Sequence, residues 1–176
     1  PNFVVREILR QTAVEIIKDK TAKEINNLKC ADIACGSGAF LLELYQVLHD
    51  SLVDYYLEND RGKLIQTSIG TYKLPYEMKR NLLVNCIYGV DKDFNAVEAC
   101  KFGLLLKLLE DEDVNSLFSF HPILPDLSNN IFYGNSLLST VDVPSNDIFE
   151  INPFDFGDRS FNLIIGNPPY MKTEDI

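Results

Sequence analysis

The chain has 176 residues, 46% hydrophobic and 24% charged, which is enough apolar material for one buried core and too much for a disordered polypeptide. It contains no apolar run of the roughly eighteen residues a membrane span needs, and Pro1 to Lys20 interleave charge with apolar positions, unlike a signal peptide. A soluble, cytoplasmic protein with no membrane partner is expected. The formal net charge of −10 argues against a chain that neutralises nucleic-acid phosphates by itself.

From Phe3 to Leu28, apolar residues at Val4, Val5, Ile8, Leu9, Ala13, Ile16 and Ile17 keep helical spacing, so one long or two short helices are expected. The short apolar run Lys29 to Cys35 reads as a strand, Gly36-Ser37-Gly38 as a turn, and Ala39 to Tyr56 as a helix. Polar Glu58 to Leu74 reads as a loop or short hairpin. Pro75 suits the first position of a helix whose apolar side is Met78, Leu82, Leu83 and Val84. Asn85 to Val90 is then a second strand ending at Asp91, and Asp93 is placed to cap a helix over Phe94 to Leu109. Glu110 to Asn130 carries acidic residues and two prolines and reads as loop or frayed helix. Ile131 to Tyr133 is a short strand, Gly134 to Val143 a turn with at most one helical turn, Pro144 to Asp158 a loop, and Phe161 to Ile165 a closing strand. Alternation of strands and helices predicts an α/β fold with a mainly parallel sheet, ligands being bound at the carboxyl ends of the strands.

Cys30, Cys35, Cys86 and Cys100 form no CxxC pair and His49 and His121 lie far from them, so buried, reduced thiols are expected and no metal site.

Each cluster with chemical promise follows an expected strand. Asp32-Ile33-Ala34-Cys35-Gly36-Ser37-Gly38 offers a tight turn at a helix N-terminus. It lacks the third glycine of the dinucleotide fingerprint, so a ligand with a carboxylate and a sulfonium suits it better than a pyrophosphate. Taken alone, it is equally well a plain strand-to-helix turn. Asp91 ends its strand with a carboxylate that can accept from ribose hydroxyls. Asn135, in Gly134-Asn135-Ser136, offers an amide oxygen to an adenine amino group, though an ordinary Gly-Asn turn explains it as well. Asn167-Pro168-Pro169-Tyr170 is far more specific, arising by chance in roughly one in a thousand chains of this size. The prolines fix φ and leave carbonyls directed outward. Asn167 and the Pro168 carbonyl could both accept from the hydrogens of an exocyclic amine, which frees the nitrogen lone pair for attack on a methyl group, while Tyr170 stacks on the base.

In this order, Asp32-Ile-Ala-Cys-Gly-Ser-Gly-Ala-Phe-Leu, Gly-Val-Asp91, Gly-Asn135-Ser-Leu-Leu and Gly-Asn-Pro-Pro-Tyr170 resemble motifs I to IV of the adenine-specific DNA methyltransferases, and Pro1-Asn2-Phe3-Val4-Val5 resembles the motif X preceding motif I in gamma-ordered members. The form of these motifs is most similar to the methylase part of type II restriction-modification enzymes, including those fused to a nuclease. The resemblance implies a Rossmann-like fold that binds S-adenosyl-L-methionine, with residues 1–28 a helical segment and 29–176 the first half of the catalytic domain. It implies cofactor contacts from Phe3, Asp32, Ala34, Gly36, Gly38, Asp91 and Asn135, and target contacts from Asn167, Pro168, Pro169 and Tyr170. The partner it implies is double-stranded DNA with a flipped adenine, engaged through a longer parent protein. The last strand is then expected to be an open edge that self-associates or is hidden.

Three positions depart from the family pattern. Asn135 replaces a common Asp, Lys92 stands where an apolar residue often packs on the cofactor's adenine, and Asn162 replaces an Asp in the strand before motif IV. Two other readings share these residues: a methyltransferase acting on protein glutamine or RNA guanine, and a non-catalytic methyltransferase-like subunit.

Overall fold

The apolar face at the start of the chain forms helix α1 (Asn2–Ile17), which buries Leu9, Ala13 and Ile17, followed by the one-turn helix α2 (Ala22–Ile25). The break between them has a local cause. Asp19 adopts a left-handed φ of 63°, and Thr21 opens α2 with a capping box in which Glu24 Oε2 accepts the Thr21 N–H at 2.9 Å. The computed structural model describes residues 2–113, 117, 122–138, 141 and 152–168. After α2 come β1 (Cys30–Asp32), α3 (Ala39–Asn59), a single 3-10 turn, the hairpin β2 (Ile65–Gln66) and β3 (Tyr72–Lys73), α4 (Tyr76–Cys86), β4 (Ile87–Asp91), α5 (Phe94–Leu109), β5 (Ile131–Tyr133) and β6 (Leu163–Ile164).

The main sheet has the order β5-β4-β1-β6, and all three pairings are parallel. The chain steps outward from β1 to β4 to β5, then returns to the other side of β1 for β6. Strand order therefore reverses between β1 and β6, the place where open parallel sheets admit ligands.

The sheet's two faces are covered differently. One carries the helices: α3, α4 and α5 pack on it and on each other, with Leu41, Leu44, Leu48, Leu82, Leu83 and Leu104 fully buried between them. Tyr88 and Phe132 alternate to the other face, where, among the described residues, a loop rather than a helix meets them. Phe132 stacks on Phe154 at 4.6 Å, Phe156 meets Phe161 edge-on at 4.7 Å, and the Arg159 guanidinium lies 5.5 Å above Phe132. The described part of the expected loop Pro144 to Asp158 is thus a loop with its own apolar content.

Several boundaries differ from expectation. Helix α4 continues through Asn85 and Cys86, so β4 begins at Ile87; the buried Cys86 thiol donates to the carbonyls of Ile25 and Asn26 at 3.5 Å each. Pro75 stands one residue before the helix, with ψ of 148°, and its carbonyl accepts from Met78 and Lys79. The inward side of α4 includes Lys79, 4% exposed, whose Nζ lies 2.5 Å from Glu112 Oε1 and donates to the Glu110 carbonyl at 2.8 Å. An apolar periodicity gives no sign of that buried cation. Strand β6 is shorter than Phe161 to Ile165, and its outer edge has no strand partner among the described residues. All four cysteines are buried free thiols.

Asn130 ties the start of β5 to β4 and to the end of α4. Its Nδ2 donates to the Val84 carbonyl at 2.9 Å and the Ile87 carbonyl at 2.8 Å, and its own carbonyl accepts from Gly89 at 2.9 Å. It is 5% exposed, so few waters can replace the amide. Asn130→Ala is expected to lower unfolding stability by about 1–3 kcal/mol, because two carbonyls lose their donor. Urea unfolding followed by circular dichroism checks this, and an unchanged midpoint would refute it.

Candidate functional site

The turn after β1 is held by its own backbone. Cys35 N–H donates to the Val90 carbonyl at 3.0 Å, and Gly38 N–H donates to the Cys35 carbonyl at 2.8 Å. Gly38 has a φ of 90°, and a Cβ there would lie 2.6 Å from Cys100 Sγ on α5. A side chain at Gly38 would therefore strain the turn and push α5 away. Its N–H is already used, which gives Gly38 a packing role. Gly36 differs: a Cβ placed on it would meet nothing within 4 Å. The space above the turn is open. Because Gly38 caps α3 without a side chain, the N–H groups of Ala39, Phe40 and Leu41 have no acceptor among the described residues, which leaves an anion-seeking helix end beside that space.

Asp91, at the end of β4, reaches across to this turn. Its Oδ2 accepts the Gly36 N–H at 2.7 Å and its Oδ1 accepts the Asp93 N–H at 2.9 Å. Each oxygen keeps one lone pair for a ligand. Asp93 in turn caps α5, accepting from Asn95 and Ala96 as expected. The third strand end is tied in as well: Gly134 N–H donates to the Asp91 carbonyl at 2.8 Å, and Ser136 Oγ donates to the Ile33 carbonyl at 2.7 Å. Ser136 went unremarked in the sequence except as part of a turn. Asn135 forms that turn, its Oδ1 accepting the Leu137 N–H at 3.1 Å, and its backbone bridges to residues 152–154. One lone pair of the Asn135 amide oxygen remains.

At the switch point, Asp32 and Gly166 face each other from β1 and the segment after β6. Asp32 is 1% exposed, its Oδ1 accepts the Ala34 N–H at 3.0 Å, and a Cβ on Gly166 would fall 2.4 Å from that oxygen. No residue other than glycine fits there without displacing the carboxylate. Burial pushes the Asp32 carboxyl up to about 6, the Ala34 N–H opposes that rise, and the charge of Asp91 adds to it. Asn167 and Pro168 follow directly and are exposed. Asn162 Oδ1 accepts the Lys29 N–H at 2.8 Å, so the residue that replaces the family's Asp anchors β6 to the start of β1. Pro169 and Tyr170 lie outside the described residues.

Phe3 is 77% exposed on the first turn of α1. The Arg6 guanidinium bridges Glu43 of α3 at 3.0 Å, and Val14 and Ile17 line a common pocket with Ser51 and Tyr55, so α1 runs parallel to α3. Phe3 accordingly sits at the same end of the helical layer as Ala39 and Gly36. A groove of about 750 Å³ among α1, α3 and α5, lined by Arg6, Glu43 and Lys107, lies along the helices rather than at the strand ends. Two exposed aromatics at the rim, Phe94 and Tyr133, had no role in the sequence reading.

The raised Asp32 carboxyl has a consequence for stability. A carboxyl whose folded value lies above its unfolded value of 3.8 binds more protons when folded, so its contribution is fully present below about pH 4 and is lost as pH rises through about 6. Asp32→Asn, which keeps the shape and stays neutral, is expected to be more stable than the parent by on the order of 2 kcal/mol at pH 8, with the difference gone at pH 4. Thermal melts of both proteins across that range check it, and a pH-independent difference would refute it.

Residues 85–176 match the Eco57I restriction-modification methylase family. The chain is 55% identical over 175 residues to the type II restriction enzyme and methyltransferase RM.Eco57I of Escherichia coli, an alignment covering 99% of this chain and 18% of that protein. It is 33% identical over 120 residues to RM.MjaORFECS2P of Methanocaldococcus jannaschii, covering 68% of this chain and 9% of that relative. The chain thus spans less than a fifth of the length of these relatives. With its four parallel strands bringing Gly36, Asp91, Asn135 and Asn167 to one rim, and with this likeness extending over nearly all of its length, the chain belongs to the Eco57I restriction-modification methylase family.

Proposed function

We propose that this chain carries the cofactor site and part of the target site of an S-adenosylmethionine-dependent, adenine-specific DNA methyltransferase, built on a Rossmann-like fold and acting in a restriction-modification system. The observation that carries this reading is the junction at the switch point. There the glycine turn pinned by Asp91 and the Asn167-Pro168 segment end on neighbouring strands. The sheet order, the family and the name of the Escherichia coli relative support it.

The residues present fit such a donor. The open space over Gly36 gives it room, the uncapped N-terminus of α3 suits its carboxylate, and the free lone pairs of Asp91 suit its ribose hydroxyls. Asn135 would offer its amide oxygen to the adenine, and the buried Asp32 carboxylate would favour a positively charged sulfonium nearby. When bound, the donor supplies an electrophilic methyl group on a positively charged sulfur, which keeps the electron pair of the broken bond.

Asn167 Oδ1 and the Pro168 carbonyl accept from the two hydrogens of the target amine. Those two acceptors would withdraw the nitrogen lone pair from the ring and hold the amine in one orientation, and its extra proton would be released to water. By residue type, Pro169 would restrict the backbone after Pro168 and Tyr170 would stack on the flipped adenine. The edge of β6, which has no strand partner among the described residues, makes self-association of the isolated chain an expected by-product, which sedimentation showing a clean monomer would refute.

The central test is calorimetric titration of S-adenosylmethionine and S-adenosylhomocysteine into the full-length protein, alongside transfer of labelled methyl groups to adenine-containing duplex DNA. Asp91→Ala is expected to abolish measurable binding. Asn167→Ala should still bind cofactor but lose at least about a hundredfold in methyl transfer, the scale of losing one well-placed hydrogen bond to the reacting group. Cofactor binding without methylation of any adenine would overturn the proposal in favour of a non-catalytic module, and transfer to a protein or RNA instead would reassign the substrate.

A further inference from the structure

Past the end of β6 the chain has little backbone support. Ile165 N–H donates to the Ala31 carbonyl at 2.8 Å, and beyond that bond no backbone hydrogen bond holds residues 166–168 among the described residues. Gly166 lies instead against the side chain of Asp32. A Cβ built on Gly166 would overlap Asp32 Oδ1 and stand 3.0 Å from Cγ and 3.4 Å from Oδ2, so one carboxylate closes off that position. The φ of Gly166 is not left-handed, so space rather than backbone conformation demands glycine here. The obstacle is itself fixed: Asp32 is 1% exposed, belongs to β1 between β4 and β6, and its Oδ1 accepts the Ala34 N–H at 3.0 Å.

We propose that Asp32 is a positioning residue for methyl transfer: its side chain is the stop against which Gly166 rests, and it thereby sets how close Asn167 and Pro168 come to the glycine turn. The inference rests on the methyl-transfer reading above and adds the device that aligns its two halves. The same oxygen touches both. Toward the glycine turn, Oδ1 accepts the N–H of Ala34, two residues before Gly36; toward the target segment, it meets the backbone one residue before Asn167. Transfer needs the amine nitrogen and the methyl carbon at a set separation, and a misplacement of about 1 Å costs roughly a hundredfold. Of the two neighbours, β6 is the one that yields. It pairs with β1 through two residues and has no strand on its other side among the described residues, whereas β1 is flanked on both. A larger residue at position 166 therefore moves the target segment and leaves the glycine turn in place.

The test uses the full-length protein, with S-adenosylhomocysteine binding followed by calorimetry and labelled-methyl transfer to adenine-containing duplex DNA measured at saturating donor. Gly166→Ala is expected to keep parent-like affinity for S-adenosylhomocysteine while kcat falls by about tenfold to a hundredfold. Asp32→Ser withdraws the oxygen that the new methyl group would strike and keeps an acceptor for the Ala34 N–H. Combined with Gly166→Ala, it should raise kcat about tenfold above the glycine variant alone, a rescue that a general loss of stability would not give. If Gly166→Ala by itself does not fold, the double variant carries the test: a folded, active protein supports the pairing and an unfolded one overturns it. Parent-like kcat in Gly166→Ala, a matching loss of S-adenosylhomocysteine affinity, or a double variant no faster than the single one overturns the assignment and leaves the methyl-transfer reading standing. Absence of methyl transfer by the parent itself overturns both.

Discussion

The bond from the Gly36 N–H to the Asp91 carboxylate is the joint on which the rim depends. It couples the turn after β1 to the end of β4 through one charge-assisted contact of 2.7 Å. Because the other Asp91 oxygen holds Asp93, and Asp93 starts α5, this single side chain sets the height of the glycine turn, the end of β4 and the first residue of the next helix together. The third strand joins the same assembly through the Asp91 carbonyl and through Ser136. Three loops distant in sequence are thereby held at one level by hydrogen bonds that use almost no apolar contact, so a ligand finds this end of the sheet already shaped.

Electrostatics there follow from burial rather than from the count of charges. Asp32 and Asp91 are both acidic and close enough to influence each other, yet their surroundings differ. Asp91 is half-buried and accepts two N–H groups, whereas Asp32 is enclosed beneath Gly166 with one. The uncapped N-terminus of α3 lies in the same region with the opposite sign. A zwitterionic ligand with separated positive and negative groups matches this division, which neither the composition nor the net charge of −10 conveys.

Most of the fold was legible because it is written in local signals. Periodicity located α1, α3 and α5, the Asp93 cap located the start of α5 to the residue, and short apolar runs located β1, β4 and β5. What stayed hidden depends on long-range contact. The helix–strand boundary at Cys86 is set by a thiol reaching the carbonyls of Ile25 and Asn26, some sixty residues earlier. Lys79 is buried because Glu112 meets it, a pairing that no apolar stripe announces. The same distinction runs through the site. Gly36 and Asp91 stood out by type and position, but the division of labour between Gly36, open above, and Gly38, closed against Cys100, required the packing of α5. Asn162 stood out only as a departure from the family pattern; that its amide oxygen anchors β6 needed the structure.

The two halves of the rim are secured unequally. The β1–β4 half lies under interlocked helices and shares their core, whereas β6 meets the sheet through two strand residues, the Asn162 anchor and the edge of an aromatic cluster. The anchor also spans 133 positions of chain, so forming it closes a much longer loop than the neighbouring β1–β4 pairing does. Two levels of local stability follow: a cooperative unit around the glycine turn that persists until the whole core melts, and a less protected unit around Gly166-Asn167 that detaches first. Such a division lets the Gly166-Asn167 segment yield and re-form while the glycine turn beside it keeps its shape.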